Sequence, residues 1–176
     1  DDGTQAPAIW KSDGTPAGTT PLFDPGSQSY AQIVSSANGG VFFLGGFPVQ
    51  KLYRTNGDPA GTREVPLRGG GNYDLEQIQQ VFVTPTQIYL HSRVDGISGT
   101  PQPWWRTDYA GTDLIRLSNG EDGPGDVAGE RLYFQSNGVD GSSLATSDGS
   151  VAGTAPIQIF PPSGKTGSSA PREFEN

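Results

Sequence analysis

The chain has 176 residues and a mass of 18.5 kDa, with 26 Gly and 15 Pro and only 17% charged residues. So many turn formers argue against a helical protein, while 8 Phe, 6 Tyr and 3 Trp argue against a disordered one. A net charge of −8 disfavours nucleic acid and anionic membranes as partners, and the absence of Cys excludes disulfides, zinc-thiolate sites and a thiol nucleophile.

In chain order, the first recognisable unit is Ile9-Trp10-Lys11-Ser12-Asp13-Gly14-Thr15-Pro16-Ala17-Gly18-Thr19, an apolar-aromatic-basic strand followed by a turn. A short apolar segment at Pro21-Leu22-Phe23, a turn at Asp24-Pro25-Gly26-Ser27, a less regular segment from Tyr30 to Val34 and a clear strand at Val41-Phe42-Phe43-Leu44 come next. The pattern restarts with Leu52-Tyr53-Arg54-Thr55-Asn56-Gly57-Asp58-Pro59-Ala60-Gly61-Thr62, followed by Val65-Pro66-Leu67, Ile78 to Val83 and the strand Ile88-Tyr89-Leu90-His91. The third copy, Trp104-Trp105-Arg106-Thr107-Asp108-Tyr109-Ala110-Gly111-Thr112, is two residues shorter in its turn. It leads into Leu114-Ile115-Arg116-Leu117, a loop at Asn119-Gly120-Glu121-Asp122-Gly123, a weak segment from Asp126 to Ala128 and the strand Arg131-Leu132-Tyr133-Phe134. The fourth copy is Leu144-Ala145-Thr146-Ser147-Asp148-Gly149-Ser150-Val151-Ala152-Gly153-Thr154, with Ile157-Gln158-Ile159-Phe160 after it. The closing Gly-Thr pairs recur at spacings of 43, 50 and 42 residues.

Four short β segments per period predict an all-β fold, a β-propeller or partial propeller built of four-stranded antiparallel blades. Residues 1–176 read as one repeat domain: 1–19 end a blade, 20–62, 63–112 and 113–154 are three full repeats, and 155–176 begin a further blade. An arc cut from a larger propeller is favoured over a closed one, because closure with a missing strand leaves unpaired edges. The chain begins at Asp1 and contains no Met, so excision or processing from a longer secreted protein is expected. No apolar run approaches the roughly 20 residues of a membrane span, and direct membrane insertion is not expected.

The recurring positions have physical roles. In an extended strand the aromatic (Trp10, Tyr53, Trp105) and its neighbours point to opposite faces, toward one adjacent blade or away from it. The Asx residues Asp13, Asn56, Asp108 and Asp148 cap turn amides, and Gly14, Gly57 and Gly149 accept positive φ. Gly18, Gly61, Gly111 and Gly153 close the turn before the next strand. Ala145 and Thr146 break the aromatic and basic positions of the fourth copy, so that blade is expected to pack less well, or against something outside the chain.

The stretch from Trp10 to Thr19 closely resembles the ELWxxDGT repeat of long bacterial secreted and surface proteins. Ile9 stands where that repeat has Leu and Ala8 where it has Glu. The second copy departs at Asn56 and Asp58, the third lacks the Gly-Thr of the turn, and the fourth lacks the aromatic. With flanking strands the resemblance covers most of the chain, with about ten diagnostic residues per repeat. It implies a propeller-like, extracellular or envelope-associated module that is secreted, displayed on the cell surface or periplasmic. A weaker likeness is to the Asp-box turns of sialidase-type propellers, which are also structural.

Reactive groups are sparse. His91 is the lone histidine, and without Cys or a second His it cannot complete a usual transition-metal set, so a structural role is expected. The acidic turns at Asp2, Asp13, Asp95, Asp108, Asp140 and Asp148 read as caps, with structural Ca²⁺ as the alternative; no other cofactor is expected. Glu64, Asp74, Glu76, Asp122, Asp126 and Glu130 are the carboxylates from which a glycosidase pair would be drawn, but no motif selects two of them. Gly69-Gly70-Gly71 lacks a phosphate-binding lysine. Trp104 and Trp105 are adjacent, so one of them turned outward would offer a ring to a sugar or a partner protein; burial of both between blades is the favoured reading.

The expected function is a non-catalytic extracellular or cell-surface module for assembly, adhesion or scaffolding. Its partners would be other protein chains or the remaining blades of a longer parent. The alternatives are a lectin-like carbohydrate-binding propeller and a fragment of a propeller-fold hydrolase.

Overall fold

A computed structural model describes residues 9–23, 31–46, 50–67, 75–94, 102–138 and 141–160. The expected turn at 24–27, the glycine run at 69–71, the acidic positions Asp2, Asp74, Asp95 and Asp140 and the tail beyond 160 lie outside these segments. Among the described residues every regular element is a β-strand, apart from one 3-10 turn at Pro59–Gly61.

Strands β1 (Ile9–Lys11) and β2 (Thr20–Phe23) form a two-stranded antiparallel sheet I. Sheet II runs β3 (Ala31–Ala37), β4 (Gly40–Gly45), β5 (Lys51–Thr55), β6 (Arg63–Glu64). Sheet III runs β7 (Leu75–Val83), β8 (Ile88–Val94), β9 (Trp104–Thr107), β10 (Ile115–Arg116). Sheet IV runs β11 (Glu121–Ala128), β12 (Arg131–Gly138), β13 (Gly141–Ser147), β14 (Ala155–Phe160). Sheets II to IV are thus four-stranded antiparallel meanders, and the all-β expectation holds at that level. The segment after each Gly-Thr pairs with the strand before the turn, so a repeat drawn from one Gly-Thr to the next straddles two sheets.

Local chemistry explains the hairpins. Asn38 and Gly39 both take positive φ, 50° and 69°, the conformation that a two-residue turn needs to match strand twist. β11 takes in Glu121, Asp122 and Gly123, which read as loop in the sequence, and continues through Pro124 and Gly125. Its register shifts between Asp122 and Gly125, and Pro124 is tolerated because β11 is an outer strand with a bulge there. A Cβ at Gly125 would come within 2.7 Å of the Trp104 ring and 2.8 Å of the Tyr133 carbonyl, so only glycine lets β11 cross that indole.

Successive sheets pack face to face, and alternation along each strand sends neighbouring side chains in opposite directions. Ile9 and Leu22 of sheet I meet Phe43 of sheet II, with Phe23 and Tyr53 beside them. Phe42, Leu44 and Leu52 of sheet II meet Ile78, Ile88, Leu90 and Trp105 of sheet III. Tyr89 and Trp104 of sheet III meet Leu132, Phe134 and Ala145 of sheet IV. Burial on both faces is why β4 and β8 read as continuous apolar runs rather than alternating ones. β7 also touches the first strands on either side of it, β3 and β11, and the Gly125 amide donates to Gln80 Oε1 at 3.1 Å.

Candidate functional site

The repeated turn is a closed hydrogen-bond circuit. In the first copy the Ser12 and Thr19 hydroxyls bond at 2.7 Å, while the Thr15 amide and hydroxyl donate to Asp13 Oδ1 at 2.9 and 2.8 Å. The fourth copy repeats this with Ser147 and Thr154 at 2.6 Å, and with Ser150 donating to Asp148 Oδ1 at 2.9 and 2.8 Å. In the second, Thr55 and Thr62 bond at 2.7 Å and the Asp58 amide donates to Asn56 Oδ1 at 3.0 Å. The short third copy substitutes Asp113, which accepts from the Asp108 amide at 2.6 Å, while Asp108 accepts from the Thr112 amide and hydroxyl at 3.0 Å each. Gly14, Gly57 and Gly149 hold φ of 93°, 87° and 93°. At Gly18, Gly61 and Gly153 a Cβ would collide with the Asx side chain that folds over the turn. Gly111 has φ 73° and lies against Val65 and Pro66, so the shortened turn packs on the preceding sheet.

These circuits set the acidity of the turn carboxylates. The Thr15 amide and then its hydroxyl hold Asp13 below the usual carboxylate range, and Ser150 does the same for Asp148. At Asp108 burial pushes upward, but the bonds from Thr112, Gly111 and Ala110 together lower it. In Asp13 and Asp148 the oxygen that these donors share is Oδ1. Among the described residues no group of three or more acidic or histidine side chains is placed to hold a metal.

The basic residue of each of the first three copies reaches forward to the next sheet's turn. Lys11 Nζ donates to the Gly57 carbonyl at 2.8 Å, Arg54 lies 5.6 Å from the Tyr109 ring centroid, and Arg106 Nε donates to the Gly149 carbonyl at 3.1 Å. Arg106 also pairs with Asp113. The recurrence of a base after the aromatic was visible in the sequence; that it spans two sheets was not, because strand pattern says nothing about reach. Tyr89 adds to the third seam by donating its phenol to the Glu130 carbonyl at 2.8 Å. Burial, with the charges of Asp148 and Glu130, pushes that phenol up to about 12. It therefore stays a donor at any ordinary pH.

Trp104 and Trp105 are both buried, the arrangement favoured from the sequence over an outward indole, so neither ring offers the contact face considered for a sugar or a partner. The reason is the two-sided packing. Trp105 points back to sheet II and Trp104 forward to sheet IV, with Trp104 Nε1 donating to the Gly123 carbonyl at 3.2 Å. In the fourth copy Ala145 is buried in the same cluster as Trp104, while Leu144, Ile157 and Ile159 of that sheet stay exposed, in keeping with the expectation of looser packing or of packing against something outside the chain. Trp10, in contrast, is 50% exposed.

His91 lies in the seam between sheets III and IV, stacked on Trp104 with centroids 4.9 Å apart. Its Nε2 sits 3.0 Å from the Gln102 carbonyl and 3.2 Å from that of Asp122, so this nitrogen carries the proton. Burial lowers its pKa. The Asp122 carboxyl is buried close by and accepts from Ser118, and burial raises its pKa. Of the other candidate carboxylates whose side chains are described, Glu64 pairs with Lys51 at 2.9 Å, Glu130 accepts from Thr84 and Thr86 at 2.6 Å each, and Asp126 is exposed. Beside the same seam, a groove of about 370 Å³ is lined by Leu117, Ser118, Phe134, Ser136, Ser143 and Ile159 among others.

The outer faces of the terminal sheets are the remaining surfaces of interest. Trp10 occupies the backward-facing position filled by Tyr53, Trp105 and Ala145 elsewhere; Leu144, 41% exposed, occupies the forward-facing position of Ile9, Leu52 and Trp104. No helix among the described residues is long and apolar enough to cross a membrane. Compared with protein-family models and with curated proteins, the sequence matches none.

Proposed function

We propose that this chain is a non-catalytic, secreted or surface-displayed β-propeller module of the ELWxxDGT type, used for assembly, adhesion or scaffolding. The observation that carries the reading is the constant polarity of the seams. At each internal seam one sheet sends a residue of its motif strand forward and the next sheet sends the following residue of its own motif strand backward, and the first three sheets also send a base toward the next turn, which suits sheets arranged radially about an axis. The family resemblance rests on the motif itself, in which the Ser, Asp, Gly and Thr positions close the turn circuit. The buried His91 and Asp122 are engaged by backbone carbonyls and Ser118, which supports a structural rather than a catalytic role.

The test is a panel of glycoside and ester substrates run on the wild-type chain with His91→Gln and Asp122→Asn alongside. No turnover is expected; turnover that either substitution abolishes overturns the proposal. The groove between sheets III and IV favours one second reading, carbohydrate binding through its serines and Phe134. A glycan array decides it: specific binding that Ser143→Leu removes would replace assembly with sugar recognition.

A further inference from the structure

We infer that the Asn119–Gly120 pair is a site of spontaneous covalent modification, and that the hydroxyl residue before each Asx-Gly pair of the turn motif guards that pair against the same reaction. The reaction is cyclisation followed by hydrolysis, with water as the co-reactant. The Gly backbone nitrogen attacks the Asn Cγ, a C–N bond forms, and ammonia leaves carrying the proton that the amide gives up. Water then adds to either ring carbonyl, breaks a C–N bond and returns a proton to the nitrogen, leaving aspartate or isoaspartate. A nitrogen already donating a hydrogen bond is a poor nucleophile, and a side-chain carbonyl already held cannot swing toward it. Glycine in second place has no Cβ to obstruct the approach.

In all three motif copies where Gly follows the Asx residue, the attacking nitrogen is engaged. The Gly14, Gly57 and Gly149 amides donate to Ser12 Oγ, Thr55 Oγ1 and Ser147 Oγ at 3.0, 3.0 and 3.1 Å. Each of these hydroxyls is kept an acceptor by the threonine that closes the turn. Thr19, Thr62 and Thr154 donate onward to backbone carbonyls, so the proton shared by the two hydroxyls runs toward the threonine. The Asx Oδ1 is held in turn by the amide two residues on. In the third copy the Thr107 hydroxyl turns to Asp113 instead, and there Tyr109 rather than Gly follows the Asx. Guard and vulnerable glycine are present together and absent together.

Three Asn-Gly pairs lie outside the motif, at Asn38, Asn119 and Asn137. Asn38 is fixed in its turn, with Nδ2 donating to the Pro85 carbonyl at 2.6 Å. Asn137 is paired on both sides within sheet IV, and its Oδ1 accepts from the Ser142 hydroxyl at 2.8 Å. Asn119 is exposed in the irregular segment between β10 and β11, and among the described residues no hydrogen bond holds its side chain or the Gly120 amide. Conversion there places a carboxylate at the groove beside Ser118, and isoaspartate lengthens the link into β11 by one methylene.

Incubation of the full chain in mildly alkaline heavy-oxygen water, followed by peptide mapping with mass spectrometry, tests the inference. Asn119 is expected to take up label, as aspartate and isoaspartate, about tenfold faster than Asn56, whose pair carries two hydrogen bonds. In urea the two rates should converge, since only the fold tells the sites apart. Thr55→Val removes the acceptor and should speed labelling at Asn56 about fivefold. Thr62→Val is the control: it breaks the same hydroxyl pair but leaves Thr55 on the Gly57 amide, so the Asn56 rate should stay within about twofold of wild type. The wild-type comparison uses no variant, so it decides even where a substitution unfolds the turn. Labelling of Asn56 as fast as Asn119 in the folded chain overturns the inference. So does a Thr55→Val variant no faster than wild type, or no faster than Thr62→Val.

Discussion

Asn56 and Gly61 occupy the same space, which makes the repeat motif a steric agreement between positions five residues apart. Gly61→Ala drives a methyl into the Asn56 amide and should cost about 1 kcal/mol in urea unfolding. Asn56→Ala removes the obstacle, so the double variant should lose less than the sum of the singles. The turn was legible because Asx and Gly carry their conformational preferences locally. His91 and Asp122 were not, since burial depends on which sheet lies opposite. Their pH dependence follows from that burial. Asp122 is raised above 3.8 in the folded chain, so its penalty is absent below that pH and grows as pH rises to the folded value. Asp122→Asn should therefore stabilise at pH 7 and match wild type near pH 3. His91 is lowered below 6.5, so stability is intact above that pH and lost as pH falls, because the unfolded chain takes up a proton that the folded one refuses. Thermal unfolding from pH 7 to 5 should fall less steeply in His91→Gln.

Alternation along the third strand of each sheet decides which aromatics hold the fold and which do not. Trp105 is fully covered by sheet II, so Trp105→Ala should cost about 3–5 kcal/mol. Trp10 stands in the same motif position at the end of the series, and Trp10→Ala should change unfolding of the monomer by no more than about 0.5 kcal/mol. Equal losses at the two sites would contradict the backward-facing assignment. The opposed faces of the aromatic and its neighbours followed from strand geometry alone, and so did the strands at Phe42, Tyr89 and Tyr133. β11 did not, because Gly123, Pro124 and Gly125 carry loop propensities that are overridden when the Trp104 indole needs a strand without side chains above it.

For the whole molecule, the period of four segments revealed the meanders, but not where one sheet stops and the next begins. Pairing partners are chosen across the turn, and the sequence repeat is indifferent to where it is cut.

The basic latch always points the same way along the chain, from Lys11 to Gly57 and from Arg106 to Gly149. Each unit that keeps the base thus carries half of the instructions for the junction ahead of it and half for the one behind. Copying or deleting one whole unit leaves each surviving junction with both halves, so such a protein can grow or shrink by recombination between its own repeats without any new contact having to arise first.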